Sequence, residues 1–226
     1  MGALLKNNLL FLHIPKTGGS WVRHVLRDQG LVRVEFPDTH PDMVRLNHFS
    51  RFYPLHYVKQ SIKYRSLNLG LDIQSSYKFC FVRNPHRWYE SYWRYMSKRE
   101  WKIDDKENAF PDTTWRPNEI LKKYGCYDFK KFMGRVVDNH PGYLTKLYGR
   151  YTLPSEIDFV RRTESLVDDL IAVLTTAGVD FNEASIRSTQ KINTSPNRVD
   201  KPEWDPEIRK AVRRLEAPIF ERFSYQ

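Results

Sequence analysis

The sequence predicts an α/β fold with a central parallel sheet flanked by helices, and three stretches carry that expectation. Leu9 to Trp21, LLFLHIPKTGGSW, passes from an apolar strand through a glycine-bearing loop into an amphipathic helix. Tyr77 to Tyr92, YKFCFVRNPHRWYESY, repeats the order of strand, turn and helix. Leu31 to Phe36 reads as a strand after the first helix, so the chain opens with a β-α-β unit. Such a unit implies a right-handed crossover and parallel strands, and it puts the loops after the strands on one edge of the sheet.

The apolar amino-terminal residues read as the first core strand. A helix from near Ser20 carries Trp21, Val22, Val25 and Leu26 on one face and closes at Gly30, a natural residue just past a helix end. Tyr77 to Val82 is a β-rich run; Pro85 suits a first helical turn, and Trp88, Tyr89, Tyr92, Trp93 and Met96 recur at helical spacing. Glu100 to Pro117 is polar and aperiodic, long enough to be read as part of a binding cleft, and a helix-like Asn118 to Tyr124 follows. Asp128 can cap a helix in which Phe129, Phe132, Met133, Val136 and Val137 face a core. Ile157 to Val160 reads as a short strand. Ser165 to Ala177 is a helix ended by Gly178, and Asp205 with Pro206 opens the last helix, which Pro218 should kink or interrupt.

The chemistry is concentrated in the first loop. A helix start leaves backbone N–H groups without intrahelical partners, and with the positive end of the helix dipole these favour a phosphate or sulfate. Gly18 and Gly19 clear room for a ligand and permit positive φ, Lys16 adds a charge, and the hydroxyls of Thr17 and Ser20 add donors. The order is not that of a Walker loop, in which the lysine follows the glycines, nor of the dinucleotide fingerprint, which needs a third glycine. The order strand, PKTGGS, helix instead resembles the 5′-phosphosulfate loop of sulfotransferases that use 3′-phosphoadenosine 5′-phosphosulfate (PAPS), and FVRNPHRWYESY resembles their second motif. The resemblance is nearest to the branch acting on carbohydrate hydroxyls, whose members share HIPKTGG and FVRNP.

That resemblance implies a P-loop-like three-layer fold and a sulfonyl transfer from PAPS to a hydroxyl acceptor, a carbohydrate by the nearest branch, with adenosine 3′,5′-bisphosphate as product and no metal. It implies that Lys16, Thr17, Gly18, Gly19, Ser20 and Trp21 hold the phosphosulfate, with Lys16 also catalytic, and that Arg83 and Ser91 hold the 3′-phosphate. Proton removal from the acceptor suits a histidine. His40, His48 and His56 lie between the second strand and FVRNP, and the family order favours His56, although Tyr57 and Val58 stand where members often have small residues. Glu35 and Asp38 are the carboxylate candidates after the histidines. His13, beside the loop, suits packing at a strand end, with orientation of a ligand as its other reading. Arg162 and Glu164 resemble a late family segment but are equally read as an ion pair, and Lys191, Asn193 and Ser195 either close over the nucleotide or form a polar turn.

Composition narrows the remaining choices. The chain's 226 residues suffice for one domain, residues 1–226, and its net charge of +10 favours an anionic ligand. Nucleic acid is disfavoured, because the aromatic residues near the basic ones follow helical periodicity instead of forming a stacking platform. No run approaches the roughly 18 to 20 apolar residues of a membrane span, no signal peptide or myristoylation pattern is evident, and two cysteines support neither a disulfide scaffold nor a zinc cluster, so a reducing cytoplasm is expected. The rival reading is a non-catalytic nucleotide or polyanion binding module on the same fold.

Overall fold

The computed structural model describes residues 2–36, 40, 42, 75–102, 117–152, 157–190, 192 and 202–226. The apolar start is not one strand but two. β1 (Ala3–Leu5) and β2 (Leu9–Leu12) form a hairpin around Lys6–Asn8, with Ala3 opposite Phe11 and Leu4 opposite Leu10. Asn7 and Asn8 take φ of 53° and 54°, a left-handed conformation that asparagine tolerates better than most residues, and this turns the chain back. After helix α1 (Gly19–Asp28) comes β3 (Val32–Glu35), which pairs antiparallel with β1. Past β4 (Tyr77–Val82) and helix α2 (Pro85–Lys98) the described helices are α3 (Pro117–Lys122), α4 (Phe129–Asn139) and α5 (Tyr143–Gly149). Strand β5 (Phe159–Arg162) then leads to α6 (Leu166–Thr176), α7 (Glu183–Ser188), α8 (Pro206–Leu215) and α9 (Ala217–Arg222).

The sheet has five strands in the order β3-β1-β2-β4-β5. β2 pairs parallel with β4, and β4 parallel with β5, so the expected parallel sheet is corrected to a mostly parallel one in which β1 alone is reversed. The reversal follows from the hairpin: a three-residue connection cannot make the crossover that parallel neighbours need. β3 still runs parallel to β2, as a β-α-β unit requires, but β1 is inserted between them.

Successive residues of each strand alternate between two hydrophobic clusters. Leu10, Leu12, Cys80 and Val82 join Trp88, Tyr92, Phe132, Leu144 and Leu147. Leu9, Phe11, Phe79 and Phe81 join Val22, Val25, Leu26, Leu170 and Leu174. The strands are therefore apolar on both faces, which is why β2 and β4 read as near-continuous apolar runs. α1 ends as its sequence suggests: Gly30 has φ +62°, its N–H reaches Arg27 O at 2.8 Å, and Leu31 N–H reaches Leu26 O at 3.0 Å. The carboxyl-terminal interruption falls at Glu216, between α8 and α9, with Pro218 in the first turn of α9. Glu216 is buried there and accepts hydrogen bonds from Tyr89 Oη at 2.7 Å, Leu144 N at 3.0 Å and Thr145 N at 2.8 Å. It thereby ties α2, the start of α5 and the α8–α9 junction together. Sequence reading did not anticipate α5 and α7. Apart from His40 and Asp42, Pro37 to Tyr57 lies outside the described residues, as does most of the loop assigned to an acceptor cleft.

Candidate functional site

Because β2, β4 and β5 run in the same direction, the chain segments that follow them meet at one edge of the sheet. They line a cleft of about 910 Å³ whose walls include Lys16, Gly18, Gly19 and Ser20 after β2, Arg83 after β4, and Thr163 and Glu164 after β5. Ser91 and Tyr95 of α2 complete one side. The two sequence motifs thus converge although more than sixty residues separate them.

The loop after β2 has its carbonyl groups fixed one after another. Ile14 O accepts from Thr17 Oγ1 at 2.9 Å, Pro15 O from Trp88 Nε1 at 2.8 Å and Lys16 O from Arg83 Nη1 at 3.3 Å. Thr163 Oγ1 lies 3.0 Å from Thr17 O and 2.9 Å from Val82 O, its proton serving either. Gly18 O accepts from the N–H groups of Trp21 at 3.0 Å and Val22 at 3.2 Å. With the carbonyls engaged by the protein, the N–H groups of Gly18, Gly19 and Ser20 donate to no acceptor among the described residues. A run of such donors at a helix start, beside a cleft, has the chemistry to seat an anion.

Each loop residue has a distinct reason for its identity. Gly18 takes φ +81° and immediately precedes α1, a conformation that would strain any side chain. Gly19 lacks positive φ; instead a Cβ there would fall 1.9 Å from Cδ2 of His13. Its missing side chain makes room for that imidazole, and the residue itself lines the cleft. Thr17 is buried, its hydroxyl proton is held by Ile14 O and it is not on the cleft wall, so its side chain shapes the loop from within. Trp21 uses its backbone N–H on Gly18 O and its indole N–H on Thr189 O at 3.4 Å, so it braces the helix from within. Ser20 and Ser91 stand partly exposed on the cleft wall, as their sequence assignment requires.

Arg83 is fixed at the end of β4. Tyr148 Oη accepts its N–H at 3.0 Å and donates to its carbonyl at 3.0 Å. Burial pushes its guanidinium pKa down, and the carboxylate of Glu164 opposes that shift. Glu164 in turn accepts from Asn84 N–H at 2.9 Å and from Tyr225 Oη at 3.1 Å. The late R-x-E segment therefore acts through Glu164 on the second motif, and the backbone N–H of Arg162 turns to Asp169 Oδ2 at 3.0 Å.

Among the candidate bases, His40 is on the cleft wall, while His48, His56 and Asp38 lie outside the described residues, as do Lys191, Asn193 and Ser195. His40 Nδ1 donates to the carbonyl of His13 at 3.0 Å, which fixes the tautomer with the lone pair on Nε2 when the ring is neutral. Its ring centroid is 4.5 Å from that of His13. Burial, then repulsion from a charged His40, holds the His13 pKa well below the usual histidine value. Glu35 is a poor base here, since both its oxygens accept from Arg27, at 2.6 and 2.5 Å, and the pair depresses its pKa. Sequence reasoning missed Trp88 and Thr163 as holders of the loop, Tyr148 as the holder of Arg83, and Arg23 and Arg94 as cleft cations. Only Arg94 left a local signal, one turn beyond Ser91 on the same helix.

Comparison with family models gives a match to the sulfotransferase family over residues 5–226. Comparison with curated proteins and with solved structures found no match. With nearly its whole length covered by that family's model, the chain belongs to the sulfotransferase family.

Proposed function

We propose that this sulfotransferase takes its sulfonyl group from PAPS and passes it to a hydroxyl acceptor, a carbohydrate by the resemblance of its HIPKTGG and FVRNP motifs. The observation that carries the reading is the row of N–H groups from Gly18 to Ser20 that meet no acceptor among the described residues, with Lys16 beside it and Arg83 one hydrogen bond away. That donor set suits a phosphosulfate, and Arg83 with Ser91 suits the 3′-phosphate of the same nucleotide. In the transfer, the bond from sulfur to the bridging phosphate oxygen breaks as the acceptor oxygen bonds to sulfur, and adenosine 3′,5′-bisphosphate departs. The loop N–H groups and Lys16 neutralise charge that builds on the bridging and sulfonyl oxygens, and because they are already oriented the stabilisation costs little reorganisation. A histidine takes the acceptor's proton.

For that base the family order supports His56. A second reading, His40, is favoured by its position on the cleft wall and by the tautomer that His13 O imposes. General-base contributions are typically about 10²- to 10⁴-fold, so turnover of His56→Ala and His40→Ala on one acceptor separates the two. The hydrophobic clusters on opposite faces of the sheet support the P-loop-like three-layer reading, and the family match over nearly all of the chain supports one domain. The two free cysteines fit a reducing, cytoplasmic setting. The decisive assay incubates the protein with sulfur-labelled PAPS and a panel of glycans, phenols, lipids and small alcohols. Label on a carbohydrate is expected. Binding of adenosine 3′,5′-bisphosphate with no transfer to any acceptor class would favour the non-catalytic binding module.

A further inference from the structure

Lys16 is the loop residue whose side chain has the most freedom to be misplaced, yet its position is defined. Its backbone has φ +65°, unusual for a residue with a side chain, and its carbonyl is held by Arg83. Its Nζ lies 3.8 Å from the centroid of the Tyr95 ring on α2. Tyr95 stands one helical turn beyond Ser91, on the same cleft wall. The ring is itself fixed from a second direction: Arg99, a further turn along, donates from Nη1 to Tyr95 Oη, and its guanidinium carbon is 5.1 Å from the ring centroid. Tyr95 is also packed against the main hydrophobic cluster.

From this geometry we infer that Tyr95 is a positioning residue for Lys16. A lysine carries a compact charge on a flexible four-carbon stem, and ordering that stem costs conformational entropy. The face of an aromatic ring attracts the ammonium through its quadrupole and limits where it can go. Tyr95 thereby holds the charge at the α2 side of the anion seat before a ligand arrives. The benefit falls on the step in which charge develops and not on nucleotide binding generally, because the loop N–H groups and Arg83 grip the nucleotide independently of the ring.

The inference rests on the proposed role of Lys16 at the transferring group, and its test has one arm that does not need activity. In that arm, the ε-methylene protons of Lys16, assigned by comparison with Lys16→Ala, are followed by NMR. A ring current should shift them upfield in the wild type and in Tyr95→Phe, and the shift should vanish in Tyr95→Leu. In the kinetic arm, Tyr95→Leu should lower turnover at saturating PAPS roughly three- to tenfold, with affinity for adenosine 3′,5′-bisphosphate changed less than about twofold. Tyr95→Phe, which keeps the ring, should restore turnover. In a Lys16→Ala background the Tyr95→Leu change should have no further effect, whereas a merely structural loss would persist there. Absence of the ring-current shift in the wild type, or an undiminished loss in the Lys16→Ala background, overturns the inference. A wild type that moves no label from PAPS sinks the proposed function instead, and the NMR arm still decides whether Tyr95 places Lys16.

Discussion

Gly19→Ala should destabilise the protein even though alanine is the better helix former, and the structure supplies the magnitude. The added Cβ would lie 1.9 Å from Cδ2 and 2.3 Å from Nε2 of His13, against an ordinary contact of 3.4–4 Å, so the ring or the helix start must move by more than an ångström. The imidazole has little room to yield, being buried, 6.0 Å from the Phe11 ring centroid and 4.5 Å from that of His40. Overpacking of this kind costs typically about 1–3 kcal/mol. Replacing glycine by alanine inside a helix returns at most about 1 kcal/mol, and less in the first turn. A net loss of roughly 1–2 kcal/mol is therefore expected, a fall in Tm of about 2–8 °C for a chain of this size. Denaturant melts of Gly19→Ala, His13→Ala and the double variant provide the measurement. The double variant should lose less than the sum of the single changes, since removing the imidazole relieves the clash. Gly30→Ala serves as a comparison: its φ is +62° with nothing within 4 Å, so only backbone strain of about 1–2 kcal/mol applies. A Gly19→Ala protein at least as stable as the wild type would refute the placement of His13 against the start of α1.

Acid should weaken the fold through His13: burial depresses its native pKa, the unfolded chain binds the proton near about pH 6.5, and stability present above that value is lost as pH falls towards the native pKa. Within that window the group contributes up to about 1.4 kcal/mol per pH unit, and His13→Asn should flatten the stability–pH slope by about one proton; an unchanged slope would remove His13 from the explanation. Lys16→Ala should lower turnover more than nucleotide affinity, because a charge aimed at the transferring group matters most in the transition state. Arg83→Ala should do the reverse and also loosen the loop, since it removes the donor to Lys16 O; pre-steady-state transfer rates and calorimetric titration together separate the two effects.

The strand-loop-helix units were legible because their signals are local: apolar runs, a lysine and glycines at a turn, a proline in a first helical turn. Pro85 does stand in the first turn of α2, and the structure adds a cap from Asn84, which accepts the N–H of His86 at 3.0 Å. The hairpin was missed because Leu4 and Leu10 are equally apolar, and only Asn7 and Asn8 mark the reversal. Trp88 was read correctly as a core residue from its spacing, but periodicity cannot reveal that its indole N–H reaches Pro15 O across the sheet edge. Gly19 shows the same limit. The clearance it gives His13 is set by tertiary packing, so the sequence could suggest room for a ligand but not the room a side chain also needs. For Glu164 the sequence left an ion pair and a ligand contact equally open, and its contacts with Asn84 and Tyr225 were out of reach because they span 80 and 61 residues.

Calorimetric titration of adenosine 3′,5′-bisphosphate against adenosine 5′-monophosphate tests most directly whether this edge of the sheet is a site for a nucleotide carrying both phosphates. The bisphosphate should bind at least about tenfold more tightly, as each tenfold corresponds to about 1.4 kcal/mol and a charge-assisted arginine contact contributes about that much or more. Arg83→Ala should abolish most of the difference between the two nucleotides. Equal affinities in the wild type, or a preference that survives Arg83→Ala unchanged, would contradict the assignment of the second motif to the 3′-phosphate and with it the PAPS reading of the cleft.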